Sequence, residues 1–595
     1  MAAGDAEAAL AALAAVGATS PDALPLRFLT GLAAWYLGDA AQALGLVQRC
    51  FDDQPMNGTI AEVLASLYAQ SGDLVESLYY GKLATALGPD PSLHTLLPPS
   101  FPSFGKAFLQ IQEKPLLAQA RLQLAAGHLA PALDRARQHV DIAPGDAEGR
   151  FFYAETLLRA GLAGRAVEAL RPSVSGGALP AATASLMARS LVAVGEMAEA
   201  RRWHQQACAL APDDPAMVAA KLADASWLGD DRHGVAAEAT PWAARFLKPK
   251  RQRRWPPTRD RLVIGYLVSR FADRRDAAAV AAVARAHARP GTQVIAYGFG
   301  AQSWIENAAL AGAFDQWRDI GNLDPATLAR MIAVDGVDVA IDVAGFAAPV
   351  QLQALARIET AIRVAWLTPP SGLEGTVYDA AIAPSSRRSA GGGIDFWRLS
   401  CGAYPLAAAT PRRAGASAAP ATRFGSDALL AEISGETVAL WRKLLAGVPS
   451  AVLLLRANDM ARGPNINRLV ERFGADLASR IDVIEAASSP DFYAEIDVAL
   501  APLAGLSPCL AAGAVSSGVP VVALRGSAAA DLLKDLGRRD AIAPDAESYL
   551  AQAQQLAASP RATDASTSHD VHGTARDIAE VIEQSARAAL AKAAA

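Results

Sequence analysis

Residues 500–524 read LAPLAGLSPCLAAGAVSSGVPVVAL. Two apolar runs flank a small-residue segment that opens with Ser507 and Pro508 and ends before Gly518 and Pro520. Ser507 is placed as a helix N-cap, Pro508 as the first helical residue, and Gly518 and Pro520 as the stop. The reading is a buried strand, a turn, a short helix and a second buried strand. A helix that starts at the end of a parallel strand turns its free N–H groups into a crevice, where an anion is stabilised.

The same alternation extends upstream. From Arg261 onward, β-rich runs RLVIGYLVS, TQVIAYGF, VDVAIDVAG, IRVAWLT and DAAIAP alternate with helical segments. A softer stretch follows from Ala407, and the pattern resumes with SAVLLLRAN, RIDVIE, DVALAPL and VPVVAL. Two successive parallel-sheet α/β domains are expected, joined near residues 405–425, with ligands at the carboxyl ends of the strands.

The chain before Ala236 has a different grammar. Glycine-led turns occur at Gly38, Gly72, Gly127, Gly161, Gly195 and Gly229. The interval from Gly38 to Gly72 is repeated from Gly127 to Gly161, from Gly161 to Gly195 and from Gly195 to Gly229. It matches the tetratricopeptide period of about 34 residues, two helices per repeat, with Pro-Asp-Asp-Pro-type breaks between repeats. Such an array stacks into an α superhelix whose concave face binds a protein partner. The step from Gly72 to Gly127 is longer than one period, and the excess lies near LHTLLPPSFPSFGKAFLQI (93–111). Its prolines exclude a helix interior. Phe101, Phe104 and Phe108 leave open either a long loop or a partner-binding insert.

Composition bounds the rest. The 595 residues are 52% hydrophobic and 19% charged, which fits several globular domains. Mean hydropathy of +0.17 reflects alanine, and no long strongly apolar run suits a membrane span. The opening residues carry Asp5 and Glu7 and read as a helix, not a secretory signal. A net charge of −5 argues against wholesale nucleic-acid binding, despite the basic run 245–261. That run ends in Pro256-Pro257 and reads as a linker. Cys50, Cys208, Cys401 and Cys509 have neither zinc nor disulfide spacing, so a reducing cytoplasm and no metal are expected. The expected domains are a repeat array over 1–244, a linker over 245–260, and Rossmann-like domains over 261–410 and 411–595, the last with a terminal helix.

Repeats followed by two such domains resemble the TPR-linked protein O-GlcNAc transferases, whose catalytic half has the GT-B fold. RLVIGYLVSRF (261–271) is similar to that family's opening strand. DGVDVAIDVAGFAAPVQLQALARIETAIRVAWLTPPSG (335–372) is similar to its Asp-Leu-x-Gly-x-Thr segment and the stretch that follows. TVALWRKLLAGVPSAVLLLR (437–456), GPNINRLVERFG (463–474) and RIDVIE (480–485) resemble its C-terminal sheet region. The resemblance implies a nucleotide-sugar donor as substrate, a protein acceptor, no cofactor and no membrane.

The chain departs from the family where the family does its chemistry. Arg274 or Arg275 stands near the histidine of the Phe-x-x-His pattern, and Glu432 stands at the donor-binding lysine. Pro508, Cys509, Leu510 and Ala511 stand at the His-Thr-Thr-Gly run, and Gly513 at its following Asp. No histidine occurs between His287 and His569, and no lysine between Lys250 and Lys443. In this the chain resembles the bacterial TPR-bearing flagellin glycosyltransferases of the FlmG type. The resemblance implies transfer of a nonulosonic acid, such as pseudaminic acid, from a CMP-sugar to flagellin Ser or Thr. A UDP-GlcNAc-dependent O-GlcNAc transferase and an inactive scaffold that binds proteins through its repeats are the alternatives.

The candidate catalytic bases are Asp273 and Asp276, since a carboxylate can take a hydroxyl proton from a positioned acceptor. Arg270, Arg274 and Arg275 would stabilise an anionic donor. Ser507, Cys509 and Gly513 mark the nucleotide turn, and Arg456 with Asn458 a phosphate or carboxylate contact. Ser488 and Ser489 would face base or ribose. Asp342 and Gly345 end a front strand, where glycine permits close backbone approach. Each has a plain counterpart: a helix cap, a surface ion pair or a charged loop.

Overall fold

The structure is a computed structural model of the chain. It describes residues 13, 23–36, 39–71, 73–97, 114–125, 128–174, 179–225, 232–247, 261–268, 276–287, 291–298, 310, 312–320, 323–359, 361–367, 372–384, 394–399, 404–405, 422–456, 464–484, 489–503, 508–558 and 572–594. It divides into two compact units. One comprises 1–156, 297–308 and 317–336, and the other 157–296, 309–316 and 337–595.

The first unit carries the helix pairs Leu24–Tyr36 with Ala40–Asp53, Gly58–Ser71 with Leu74–Leu87, and Pro115–Ala125 with Leu129–Ile142. Asp39 and Asp73 cap second helices by accepting the N–H of Gln42 and Glu76. Phe28, Leu32, Val47 and Leu64 form part of its core. Residues 98–113, most of the long insert, lie outside the described residues.

In the second unit the helical hairpins continue with Ala163–Val174, Ala181–Ala193, Met197–Leu210, Pro215–Asp224 and Arg232–Phe246. Gly161 and Gly195 sit at φ +74° and +81°, which explains why glycine recurs at that turn. Ala132, Ala166 and Ala200, one period apart, are fully buried, each a small residue where helices pack closely.

Two parallel sheets follow. The front sheet has β1 (Leu262–Leu267), β2 (Thr292–Gly298), β3 (Gln316–Asp319), β4 (Val339–Asp342), β5 (Ile362–Ala365), β6 (Ala380–Pro384) and β7 (Asp395–Leu399). Their order is β3-β2-β1-β4-β5-β6-β7. The rear sheet has β8 (Arg423–Ser426), β9 (Val452–Arg456), β10 (Ile481–Ile484), β11 (Val498–Leu500), β12 (Val521–Leu524) and β13 (Ile542–Ala543). Their order is β10-β9-β8-β11-β12-β13. Each sheet thus contains the Rossmann order 3-2-1-4-5-6. The strand order reverses between β1 and β4, in register from Ile264–Val339 to Leu267–Asp342, and again between β8 and β11. Crevices open at such points.

All nine quoted β-rich runs form strands, but β3, β7, β8 and β13 escape the periodicity. β8 is the instructive case, because it lies mid-sheet yet falls within the soft stretch. Its Gly425 leaves room for Ile496, whose Cγ2 would lie 2.3 Å from a Cβ there. The packing that needs glycine also erases the strand signal.

The alanine-rich C-terminal stretch forms the helix His572–Ala594 and docks on the front domain. Buried His287 joins Tyr266 Oη at 2.8 Å to Glu583 Oε1 at 2.9 Å, and Arg587 donates to Gly291 O. The later repeats reach both sheet domains. Trp242 packs edge-on to Phe346 beside β4, while Gly195 lies against Leu430 O and Arg472 of the rear domain.

Candidate active site

Strand β1 leads toward the helix Asp276–Ala286, and β11 toward the helix Cys509–Ser516. Both strands stand at switch points, so the first residue of each helix is delivered to a crevice. Cys509 Sγ lies 3.5 Å from Asp276 Oδ1, and both residues are buried. Two positions chosen on separate grounds in the two domains therefore meet. Tyr404, between β7 and β8, joins them with its hydroxyl 2.7 Å from Cys509 Sγ.

The helix Cys509–Ser516 starts one residue later than expected. Pro508 occupies the N-cap position with no side-chain cap, so Pro508 as first helical residue is corrected. The imino ring presets the φ of −76° that leads into the helix. The C-terminus is as expected. Gly518 at φ +65° and Val519 donate to Val515 O and Ala514 O, closing a Schellman motif. Gly513 backs onto Tyr493, whose ring would lie 2.4 Å from a Cβ, while Tyr493 Oη donates to Leu510 O. That glycine serves the close packing of two helices.

Asp342 ends β4 fully buried. Its carboxylate accepts the Tyr378 hydroxyl at 2.6 Å and the backbone N–H groups of Ala344 and Gly345. Burial pushes its carboxyl above the usual range, against the pull of those donors. Gly345, at φ +53°, opens the 3-10 turn that brings its N–H onto that carboxylate. Arg456 ends β9, with Nη1 3.3 Å from the nearly fully buried carboxylate of Asp427. The pair stands at the carboxyl edge of β8 and β9. Glu432 is buried and accepts the Leu429 N–H at 2.8 Å, so it supports the backbone there.

Ser489 begins the helix Ser489–Ala494, its side chain outside the described set. Arg270, Asp273, Arg274, Arg275, Asn458, Ser488 and Ser507 also lie outside the described residues. Tyr404, Asp427 and Tyr378 were not anticipated. Asp427 follows a strand too short to register. Tyr404 sits in a segment without periodicity, and no signal marks it.

No family model matches the chain. The chain is 25% identical over 264 residues to the "probable UDP-N-acetylglucosamine–peptide N-acetylglucosaminyltransferase SPINDLY" of Petunia hybrida. It is 24% identical over 264 residues to the protein of the same description from Solanum lycopersicum. Each match covers 40% of this chain and 28% of the relative, so the chain aligns with less than a third of those proteins' length. Among solved structures it resembles a lysine-to-methionine mutant of Thermobaculum terrenum O-GlcNAc transferase. The TM-score is 0.68 at 23% identity, covering 82% of this chain and 99% of that one. At that identity the likeness shows a shared fold, which in this chain is helical repeats joined to two Rossmann-like parallel-sheet domains.

Proposed function

We propose that the chain is a cytoplasmic protein O-glycosyltransferase that moves a sugar from a nucleotide onto Ser or Thr of an acceptor recruited by the repeats. One observation carries the reading. Asp276 and Cys509, each the first residue of the helix that follows a switch-point strand of its own sheet, are in contact, with Cys509 Sγ 3.5 Å from Asp276 Oδ1. In this scheme the nucleotide lies on the rear sheet, with its phosphate toward Arg456 and the N-terminus of the helix Cys509–Ser516. The acceptor hydroxyl enters from the front side. Its oxygen bonds to the anomeric carbon as the bond to the phosphate oxygen breaks. Asp276 takes the hydroxyl proton and the nucleotide leaves.

The acceptor in this proposal is flagellin, and the donor a CMP-activated nonulosonic acid. Support comes from the chain's own residues. The stretch from 288 to 568 has no histidine, and 251–442 has no lysine. A donor with one phosphate has no pyrophosphate for a lysine to neutralise. A second reading, UDP-GlcNAc-dependent transfer, is favoured by the description of the two SPINDLY relatives.

Thermal shift of the full chain with CMP and with UDP separates them. A rise in Tm with CMP and none with UDP is expected. A rise with UDP alone would favour the second reading, and no rise with either would favour a scaffold.

A further inference from the structure

Tyr404 lies in the chain that passes from the front sheet to the rear one, and it is buried. Its hydroxyl approaches Cys509 Sγ at 2.7 Å, and that sulfur approaches Asp276 Oδ1 at 3.5 Å. The Cys509 thiol donates to Asp276 Oδ1, and a thiol has one hydrogen. The phenol therefore donates to the sulfur. The result is a directed chain, O–H to S–H to carboxylate, from the crossing segment through the rear domain to the front one. Cys509 is 9% exposed, so these neighbours and not bulk water decide where its hydrogen points.

We propose that Tyr404 is a positioning residue for transfer, fixing the Cys509 thiol so that it holds the Asp276 carboxylate in place. Its role in turnover rests on the function proposed above, whereas the hydrogen-bond chain does not. The chain orients Asp276 before the acceptor arrives, which a catalytic carboxylate requires. A serine at position 509 keeps both links, because a hydroxyl also accepts one hydrogen and donates one. Alanine breaks both.

Two measurements on the full chain test this. In the first, Cys509 is alkylated with iodoacetamide at one fixed pH and followed by peptide mass spectrometry. Cys50 serves as a slow internal reference, since burial pushes its thiol up to about 11. Asp276→Asn removes the negative charge that disfavours the thiolate, and is expected to speed Cys509 alkylation about fivefold. Tyr404→Phe removes a donor to the thiolate while keeping the ring, and is expected to slow it about threefold. Equal rates in all three proteins would overturn the proposal.

In the second, nucleotide-sugar-dependent transfer is measured. Tyr404→Phe is expected to lower kcat about fivefold while donor KM stays within about twofold. Cys509→Ala should match it, Cys509→Ser should restore most of the rate, and Tyr404→Phe with Cys509→Ala should be no worse than Cys509→Ala alone. A change confined to donor KM, or additive losses in the double variant, would overturn the positioning role. Alkylation as expected, with no transfer by the native chain from any donor, would overturn the function and the role in turnover but leave the hydrogen-bond chain standing.

Discussion

Asp342 shows how a single buried carboxylate couples the fold to pH. Burial raises its folded pKa, and the Tyr378 hydroxyl and two backbone N–H groups only partly offset that. A carboxyl that titrates higher when folded contributes stability that is intact below its unfolded pKa of ~3.9 and is lost as pH climbs through the folded value. Asp342→Asn removes the titration. Its urea midpoint is expected to fall less than that of the native chain between about pH 4 and pH 7. Parallel curves would contradict this. Asp146 in the repeats has the opposite sign. Burial raises its pKa, but hydrogen bonds from His139 and Lys114 outweigh that and bring it down to about 2. Its contribution is present above ~3.9 and fades as pH falls toward 2, so Asp146→Asn should flatten the acid limb of repeat unfolding. At this scale the sequence was partly legible. Strand–helix joints mark where polar groups can enter a crevice, which is why Asp276 and Cys509 stand out. Whether a glycine there faces a ligand or a tyrosine ring, as Gly513 does, depends on a neighbouring helix that no local pattern reveals.

Among the elements, the repeat turns and the terminal helix are the most exposed to single changes. Gly195 combines φ +81° with Leu430 O and Arg472 Nη1 close to where a Cβ would stand. Gly195→Val is expected to cost about 2 kcal/mol or more, lowering Tm by several degrees. Differential scanning fluorimetry reads this directly, and an unchanged Tm would mean that the turn does not bear on the rear domain. His287 links Tyr266 of β1 to Glu583 of the terminal helix. His287→Ala removes the partner they share, at a cost of roughly 2–4 kcal/mol. It should also raise amide exchange in 572–594; unchanged exchange there would contradict the docking. The repeat period was legible because one conformational need, a left-handed glycine, returns at the same turn, as at Gly161 and Gly195. The terminal helix was legible as a helix but not as a neighbour of His287, because that contact joins residues nearly 300 positions apart.

For the whole molecule, fold class could be read from the alternation of apolar runs with helices, and the two sheets share one strand order. What stayed hidden was the junction. The later repeats touch the front domain through Trp242 and the rear one through Gly195. Those later repeats thus help frame both sheet domains. Deletion of residues 1–235 would strip the Gly195 contact and leave Trp242 without the helices beneath it. It is therefore expected to lower the Tm of the remainder as well as abolish acceptor modification. A remainder as stable as the full chain would contradict the framing role. The central proposal, nonulosonic acid transfer to flagellin, is tested most directly by the intact mass of flagellin from cells with and without this chain. The expected result is a lighter flagellin in its absence, by whole nonulosonic acid residues. An unchanged mass would contradict the account.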